Sequence, residues 1–243
     1  MEMEKGCPRC SKEESYRLGD GRRQCQGCRY KYSTRREWIE SRVLEMFCLE
    51  VSARKASQHL GLSYKTVYRR YSAYRRLIAQ KMLQEFRRLG GEIECDESYF
   101  GGKRKGPRGR GSLGKRKVFG ILERNGKVYV TVVPKVDAPT LMQQIREKTH
   151  KGSVFYTDSF RSYNSLRQYG KHLAVDHGRE FAKGPIHING IEGFWSFAKE
   201  RLAKYHGVDA DHFELYLKEQ EFRYNYRHDL FRTLQNWLGP DFT

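Results

Sequence analysis

No stretch of this 243-residue sequence approaches the ~20 consecutive apolar residues that span a bilayer. The first residues, Met1-Glu2-Met3-Glu4-Lys5, carry no apolar core of a signal peptide. A membrane partner is therefore not expected, and a cytosolic location is, where disulfides are rare. Acid is also scarce: 29 Asp and Glu stand against 47 Lys and Arg, for a formal net charge of +18. An excess this large is uncommon for a metabolic enzyme and points to a polyanionic partner. The basic charge is spread, with 21 Lys and Arg against 10 Asp and Glu in residues 1–91 and 26 against 19 beyond them. Both halves are expected to touch the polyanion.

Cysteines are few but placed. Four of the six form Cys7-Pro8-Arg9-Cys10 and Cys25-Gln26-Gly27-Cys28, with 14 residues between the pairs. Two C-x-x-C pairs at this spacing, in turn-like sequence, predict a tetrathiolate zinc ribbon over residues 1–35. So short a segment buries too little to fold alone, and Zn²⁺ would supply its folding energy. A redox pair is the alternative for either half. Cys48 and Cys95 read as small buried hydrophobes.

Residues 36–89 read as helical. Trp38, Val43, Leu44 and Phe47 have helix spacing, a second helix covers 53–60, and a third starts at Tyr64. Gly61-Leu62-Ser63 is the turn between them, with Ser63 as N-cap. Ser57 before the turn and Val67 after it fit a helix-turn-helix. The third helix displays Lys65, Arg69, Arg70, Arg75 and Arg76, of which Lys65, Arg69 and Arg70 are the candidate DNA contacts. The alternative is a helical linker with a solvated basic face.

Gly90-Gly91 marks a boundary, and residues 90–243 read as an α/β domain. Strands are predicted over 92–100, 118–122, 127–134, 154–157 and 173–175. Asn125-Gly126 forms the hairpin turn. Helices are predicted over 140–149, 160–169, 190–205 and 213–238. Between the first two strands lies a Gly-rich cationic loop that includes Lys103, Arg104, Lys105, Arg108 and Arg110. Its composition predicts a segment that orders on nucleic acid.

Asp96 lies in the first of these strands, Asp158 ends an apolar run, and Glu192 opens a helix. Carboxylates from two strand ends and a helix can converge on a pair of divalent cations. Two such ions can clamp the attacking and leaving oxygens of a phosphodiester. Glu97, Asp137 and Asp176 are alternatives on spacing, although Glu97 faces away from Asp96 on a strand. Taken singly, each acid is more often structural, a turn, a cap or a helix start. Phe194, Trp195 and Phe197 read as core packing. His187 reads as a structural histidine, an orienting group or a DNA contact.

Four stretches together carry a family resemblance. They are Asp96-Glu97-Ser98-Tyr99-Phe100-Gly101-Gly102-Lys103, then Tyr156-Thr157-Asp158 with Tyr163, then His187 to Lys199, and last Glu219, Arg223, Tyr224, Asn225 and Arg227. With the N-terminal cysteine pairs, they resemble the DDE transposases of bacterial insertion sequences, in the ISXO2-like group. The resemblance implies an RNase H-like catalytic core. It also implies Mg²⁺- or Mn²⁺-dependent cleavage at transposon ends and transfer of the 3′-OH into target DNA. Asp96, Asp158 and Glu192 match the acidic triad, and Lys199 the lysine two helical turns on. A shared helix face for Glu192 and Lys199 follows from their seven-residue spacing, which would set Lys199 on the adjacent phosphate. Asn189, three residues before Glu192, is the alternative third member; a carboxylate binds Mg²⁺ better, and Asn189 otherwise caps the helix or supports the site. The implied partner is double-stranded DNA, bound by a homo-oligomer at the nucleoid of a prokaryotic cell. Two further readings stand beside this one. One is a non-catalytic DNA-binding regulator, and the other an RNase H-like nuclease that cuts without joining.

Overall fold

The structure, a computed structural model of the chain, describes residues 6–7, 9–20, 22–32, 34–101, 115–175, 186–205 and 207–239, with side chains of 34–38 excepted. Lys103, Arg104, Lys105, Arg108, Arg110 and Asp176 lie outside the described residues. The chain divides into two compact units, one of residues 1–77 with 228–243 and one of 78–227. The sequence boundary at Gly90-Gly91 falls inside the second.

In the first unit, β1 (Ser15–Arg17), β2 (Arg23–Cys25) and β3 (Lys31–Tyr32) pair antiparallel in that order. Three helices follow: α1 (Thr34–Cys48), α2 (Ala53–Leu60) and α3 (Tyr64–Gln84), the last of which runs past the unit's boundary at Leu77. Ser52 caps α2 by accepting from the Lys55 N–H. At its other end Gly61 takes a left-handed conformation, φ 62°, which glycine adopts without a Cβ penalty. Leu62 N–H then reaches back to Ser57 O at 3.0 Å and Gly61 N–H to Gln58 O at 3.4 Å, a Schellman closure. Ser63 accepts from Thr66 N–H at 3.1 Å and starts α3. Phe47 meets Tyr71 and Tyr74 edge-on, at 5.0 and 5.3 Å, and Ala56 and Val67 are fully buried.

In the second unit, five strands form one sheet in the order β6-β5-β4-β7-β8. They are β4 (Glu92–Phe100), β5 (Arg116–Glu123), β6 (Val128–Val133), β7 (Val154–Asp158) and β8 (Lys171–Val175). The β4-β5-β6 meander is antiparallel, and β7 and β8 run parallel to β4. Asn125, at φ 60°, turns the β5–β6 hairpin.

Strand alternation splits the core in two. Ile93, Cys95, Phe119, Ile121 and Phe155 pack under α4 (Ala138–Lys148) and a 3₁₀ segment, Arg161–Gln168, through Leu141, Ile145, Tyr163 and Leu166. Phe100, Val118, Leu122 and Tyr156 pack on the other face under α5 (Asn189–Ala203) and α6 (Phe213–Asn225). Each of these buried side chains contributes roughly 1.5–3 kcal/mol of transfer free energy.

The edge strand β6 is covered by polar side chains of α6. Asn225 accepts from Val128 N–H and donates to Val128 O, each at 2.8 Å. Glu221 accepts from Val130 N–H at 3.1 Å, and Lys218 donates to Val130 O at 2.7 Å and to Glu221 at 2.6 Å. Buried charges in a helix are thereby paired and hydrogen-bonded, as burial requires.

Two expectations are corrected. The helix expected over 213–238 is two helices, α6 and α7 (Leu230–Leu238), broken at 226–229. The two serve different surfaces: α6 covers the sheet, and α7 packs against α1 in the first unit. The helix expected over 160–169 is a 3₁₀ segment, Arg161–Gln168.

Candidate functional site

The sheet register sets the site. Across β4 and β7, Glu92 pairs with Val154, Ile93 with Phe155 and Glu94 with Tyr156. The same offset, carried two residues further, puts Asp96 opposite Asp158. Glu94, Asp96, Tyr156 and Asp158 therefore share one face, and Glu97 projects from the other. There the Tyr163 hydroxyl donates to Glu97 at 2.8 Å, which accounts for Tyr163 and removes Glu97 as a substitute for Asp96. Asp158, the last residue of β7, accepts from Phe160 N–H at 3.0 Å. Burial pushes the Asp96 carboxyl up to about 7, with Glu97 adding to it and Asp158 contributing less.

Helix α5 crosses the same face. On β5 the partner of Asp96 is Gly120. A Cβ there would lie 2.6 Å from Trp195 Cζ2 and 2.9 Å from Ile191 Cδ1, so only glycine lets the helix come this close. The Trp195 indole occupies the space, and its Nε1–H donates to Asp96 Oδ2 at 3.0 Å. Core packing, expected of Trp195, is correct as far as it goes: the ring is 4% exposed. Its polar contact was missed. The strand pairing of Asp96 with a glycine was the hidden signal, legible only once the register is known.

The start of α5 is pinned from the sheet. Its N-cap, Ile188, has no side-chain acceptor to offer, and Glu94 takes that role by accepting from Ile191 N–H at 2.9 Å. Asn189, expected as a possible cap, is instead the first residue of the helix and is exposed. Glu94 is 1% exposed and is balanced by Arg124 at 2.9 Å. Arg124 also lies over the Tyr156 ring, 3.7 Å from its centroid, and donates to His187 O at 2.7 Å. His187 Nδ1 stands 3.6 Å from Glu94, which makes His187 part of this clamp. Glu192 sits in the first turn of α5, exposed, three residues before Trp195. Lys199 is exposed four residues after it, with Nζ 5.8 Å from the centre of the Phe100 ring.

The acidic residues are thus brought together in part. Asp96 and Asp158 lie on neighbouring strands, and Glu192 stands on the helix that packs on β4 and β5. Among the described residues, the one group of three or more His, Cys, Asp or Glu whose ligand atoms all lie within 4.8 Å is Cys7, Cys10, Cys25 and Cys28. Asp137 is the N-cap of α4; its carboxyl is held low by the Thr140 side chain and N–H, which accounts for it structurally.

The cysteine cluster is built from two matching turns. Ser11 N–H returns to Cys7 O at 2.7 Å, and Arg29 N–H to Cys25 O at 3.0 Å. Ser11 and Arg29 both take φ near +58°, at 59° and 57°. Amides point at sulfur in each turn, Arg9 N–H to Cys7 and Gly27 N–H to Cys25. The Cys28 N–H and neighbouring groups lower the Cys25 thiol to about 6. Cys7 and Cys28 sulfurs are 3.5 Å apart, and Cys10 and Cys25 sulfurs 3.4 Å. Four converging sulfurs with amide donors fit a tetrahedral Zn²⁺ site. The oxygen donors of Asp96 and Asp158 fit a hard divalent ion instead.

On α3, Lys65, Arg69 and Arg76 are exposed, beside the stacked and exposed Tyr64 and Tyr68. Arg70 instead pairs with Glu40, its Nε–H and one terminal N–H donating to the two carboxylate oxygens. Arg75 is turned inward, 3% exposed, with its guanidinium over Phe47 and Tyr71. Among the described residues no helix is long and apolar enough to cross a membrane.

Residues 88–225 match the model of a transposase family. The chain belongs to that family, described as the ISXO2-like transposase domain. It is 48% identical over 100 residues to an uncharacterized transposase-like protein of Haemophilus influenzae, across 41% of this chain and 81% of the relative. It is 25% identical over 252 residues to an uncharacterized protein in the transposable element ISH50 of Halobacterium salinarum, across 89% of this chain and 84% of the relative. Among solved structures, it is similar to the Mos1 strand transfer complex, with a TM-score of 0.35 and 14% identity over 84% of this chain and 78% of that one. A pre-cleavage Mos1 transpososome gives 0.34 and 13%, over 84% and 79%.

Proposed function

We propose that the chain is a DDE-type insertion-sequence transposase with an RNase H-like core. It binds terminal inverted repeats, cuts DNA at the transposon ends and joins the 3′-OH to target DNA. The observation that carries this reading is that Asp96 and Asp158 each follow the last β4–β7 pair, Glu94 with Tyr156, by two residues and so share one face of two parallel strands, in a chain of a transposase family. A three-stranded antiparallel meander continued by two parallel strands supports the RNase H-like assignment.

Asp96 and Asp158 would hold the divalent ions, Mg²⁺ or Mn²⁺, with Glu192 as third ligand. Such ions supply charge neutralisation at the attacking and leaving oxygens of a phosphodiester. Glu192 is exposed in the first turn of α5, free of the core packing that claims Ile191 and Trp195 on either side. Its place one turn before Trp195 favours it over Asn189. Lys199 follows two turns on and suits the adjacent phosphate. No protein nucleophile is invoked. Burial pushes the Asp96 carboxyl up to about 7, and a bound cation would favour its ionised form.

Cys7, Cys10, Cys25 and Cys28 would hold structural Zn²⁺. The ribbon and the α2–turn–α3 helix-turn-helix would select the transposon ends. Lys65 and Arg69 are the favoured contacts on α3, with Arg70 available only if it leaves Glu40. Lys103, Arg104, Lys105, Arg108 and Arg110 are proposed to grip DNA on their charge alone. Pairing of two ends calls for a homo-oligomer on DNA, at the nucleoid.

The test is nicking of transposon-end duplex with Mg²⁺ or Mn²⁺. Asp96→Ala should reduce it by about a thousandfold or more, the scale seen when a central charge-stabilising group is removed. Equal nicking by the variant sinks the assignment. Cleavage without joined product would favour the nuclease reading, and binding without cleavage by wild type the regulator.

A further inference from the structure

Asp96 does not stand alone on its strand. Its cross-strand partner is Gly120, and the missing side chain opens a slot on the sheet. Trp195 fills that slot so closely that a single added methyl group would meet Cζ2 at 2.6 Å and Cη2 at 2.8 Å. The ring is also held from its sides, by Phe194 at 5.2 Å and Phe100 at 6.0 Å, both roughly edge-on. Its helix is fixed at the N-terminus by Glu94. An indole with so little freedom has one direction for its N–H, and that direction ends on Asp96 Oδ2 at 3.0 Å.

A phenyl ring could fill much of this slot. The N–H has no packing role, and tryptophan is the apolar-bodied aromatic that brings one. The same helix carries Glu192 three residues before the indole and Lys199 four residues after it. Both are within a turn or so of Trp195.

We propose that Trp195 is a positioning residue, whose indole N–H fixes the Asp96 carboxylate and so sets the spacing between the strand acids and the α5 members Glu192 and Lys199. This rests on the DDE reading. A group that orients a metal-holding carboxylate in this way changes metal affinity or activity by roughly 10- to 100-fold when removed.

The experiment replaces Trp195 with benzothienylalanine, which keeps the bicyclic shape and exchanges the N–H for sulfur. Trp195→Phe serves as the encoded counterpart. Full-length, zinc-loaded protein is titrated with Mn²⁺ and assayed for end cleavage, and its melting curve is recorded. The expected result is an unchanged melting curve with Mn²⁺ binding about tenfold weaker or worse. A fall in kcat should accompany this, with KM for DNA unchanged. Wild-type binding and cleavage by the sulfur analogue would reduce Trp195 to packing and overturn the proposal. Asp96→Ala in the same titration separates the two claims: retained Mn²⁺ binding there would overturn the DDE reading itself. A second measurement needs no substitution at 195. The indole ¹H–¹⁵N resonance of Trp195 should move on Mg²⁺ addition and in Asp96→Asn; a resonance indifferent to both also overturns the proposal.

Discussion

The cysteine cluster and the carboxylate site are assembled by different means. The four sulfurs come from two turns, each closed by its own backbone, and already lie within one coordination sphere. The proposed acids come from β4, β7 and α5, separated by tens of residues, and their placement rests on sheet register and a helix held by Glu94. Local turns can gather their ligands with little help from the rest of the chain. A site made of long-range pairings depends on every element that sets the register, and its proposed third member, Glu192, is exposed in the first turn of α5. The comparison teaches where fragility should lie: the first site should fail with its metal, and the second with its scaffold.

The largest effect should come from stripping zinc, or from Cys25→Ser. Metal binding supplies on the order of 10 kcal/mol in small tetrathiolate folds. Amide protection across 6–32 should collapse while the sheet of the 78–227 unit stays protected; hydrogen exchange reads both. Loss of protection in the sheet as well would show that the two regions are not separable.

Arg124→Ala attacks the other side of the comparison. It leaves Glu94 buried without its cation, at a cost of about 3–5 kcal/mol. Denaturant melts should show that loss with zinc content unchanged. A loss within experimental error would mean that Glu94 and α5 are held by something else.

The smallest expected effect concerns Asp96 itself. In the folded, magnesium-free chain its carboxyl titrates near 7, against 3.8 for an ordinary aspartate. The folded state therefore binds more protons between those values, and stability falls as pH rises through that window. Asp96→Asn removes this penalty. It should gain about 2–4 kcal/mol over wild type at pH 8 and nothing near pH 3.5. A gain that is the same at both pH values would place the cause elsewhere.

Much of this was legible in the sequence, for identifiable reasons. The two C-x-x-C turns, the Gly61-Leu62-Ser63 turn and the Asn125 hairpin are local, and local chemistry defines them. The faces of β4 follow from alternation, which separates Asp96 from Glu97. What alternation does not reveal is which residue lies across the sheet, so the Asp96–Gly120 pair and the Trp195 hydrogen bond were hidden. Glu94 was hidden for the same reason: a helix capped from a neighbouring strand leaves no signature beside the helix. Arg70 and Arg75 looked like a continuous basic face, because helix spacing does not show that Glu40 and a pair of aromatic rings claim them. The break between α6 and α7 went unread because apolar spacing continues across it, while the surface it serves changes.

The side chains of Asn225, Glu221 and Lys218 imitate a sixth strand along β6. They answer the free amides and carbonyls of Val128 and Val130, so that part of the flank offers nothing for another backbone to zip onto. Among the described strands, β8 is the remaining edge. An assembly that grew this sheet by adding a strand would find the Val128–Val130 stretch of β6 already answered and β8 free of that cover.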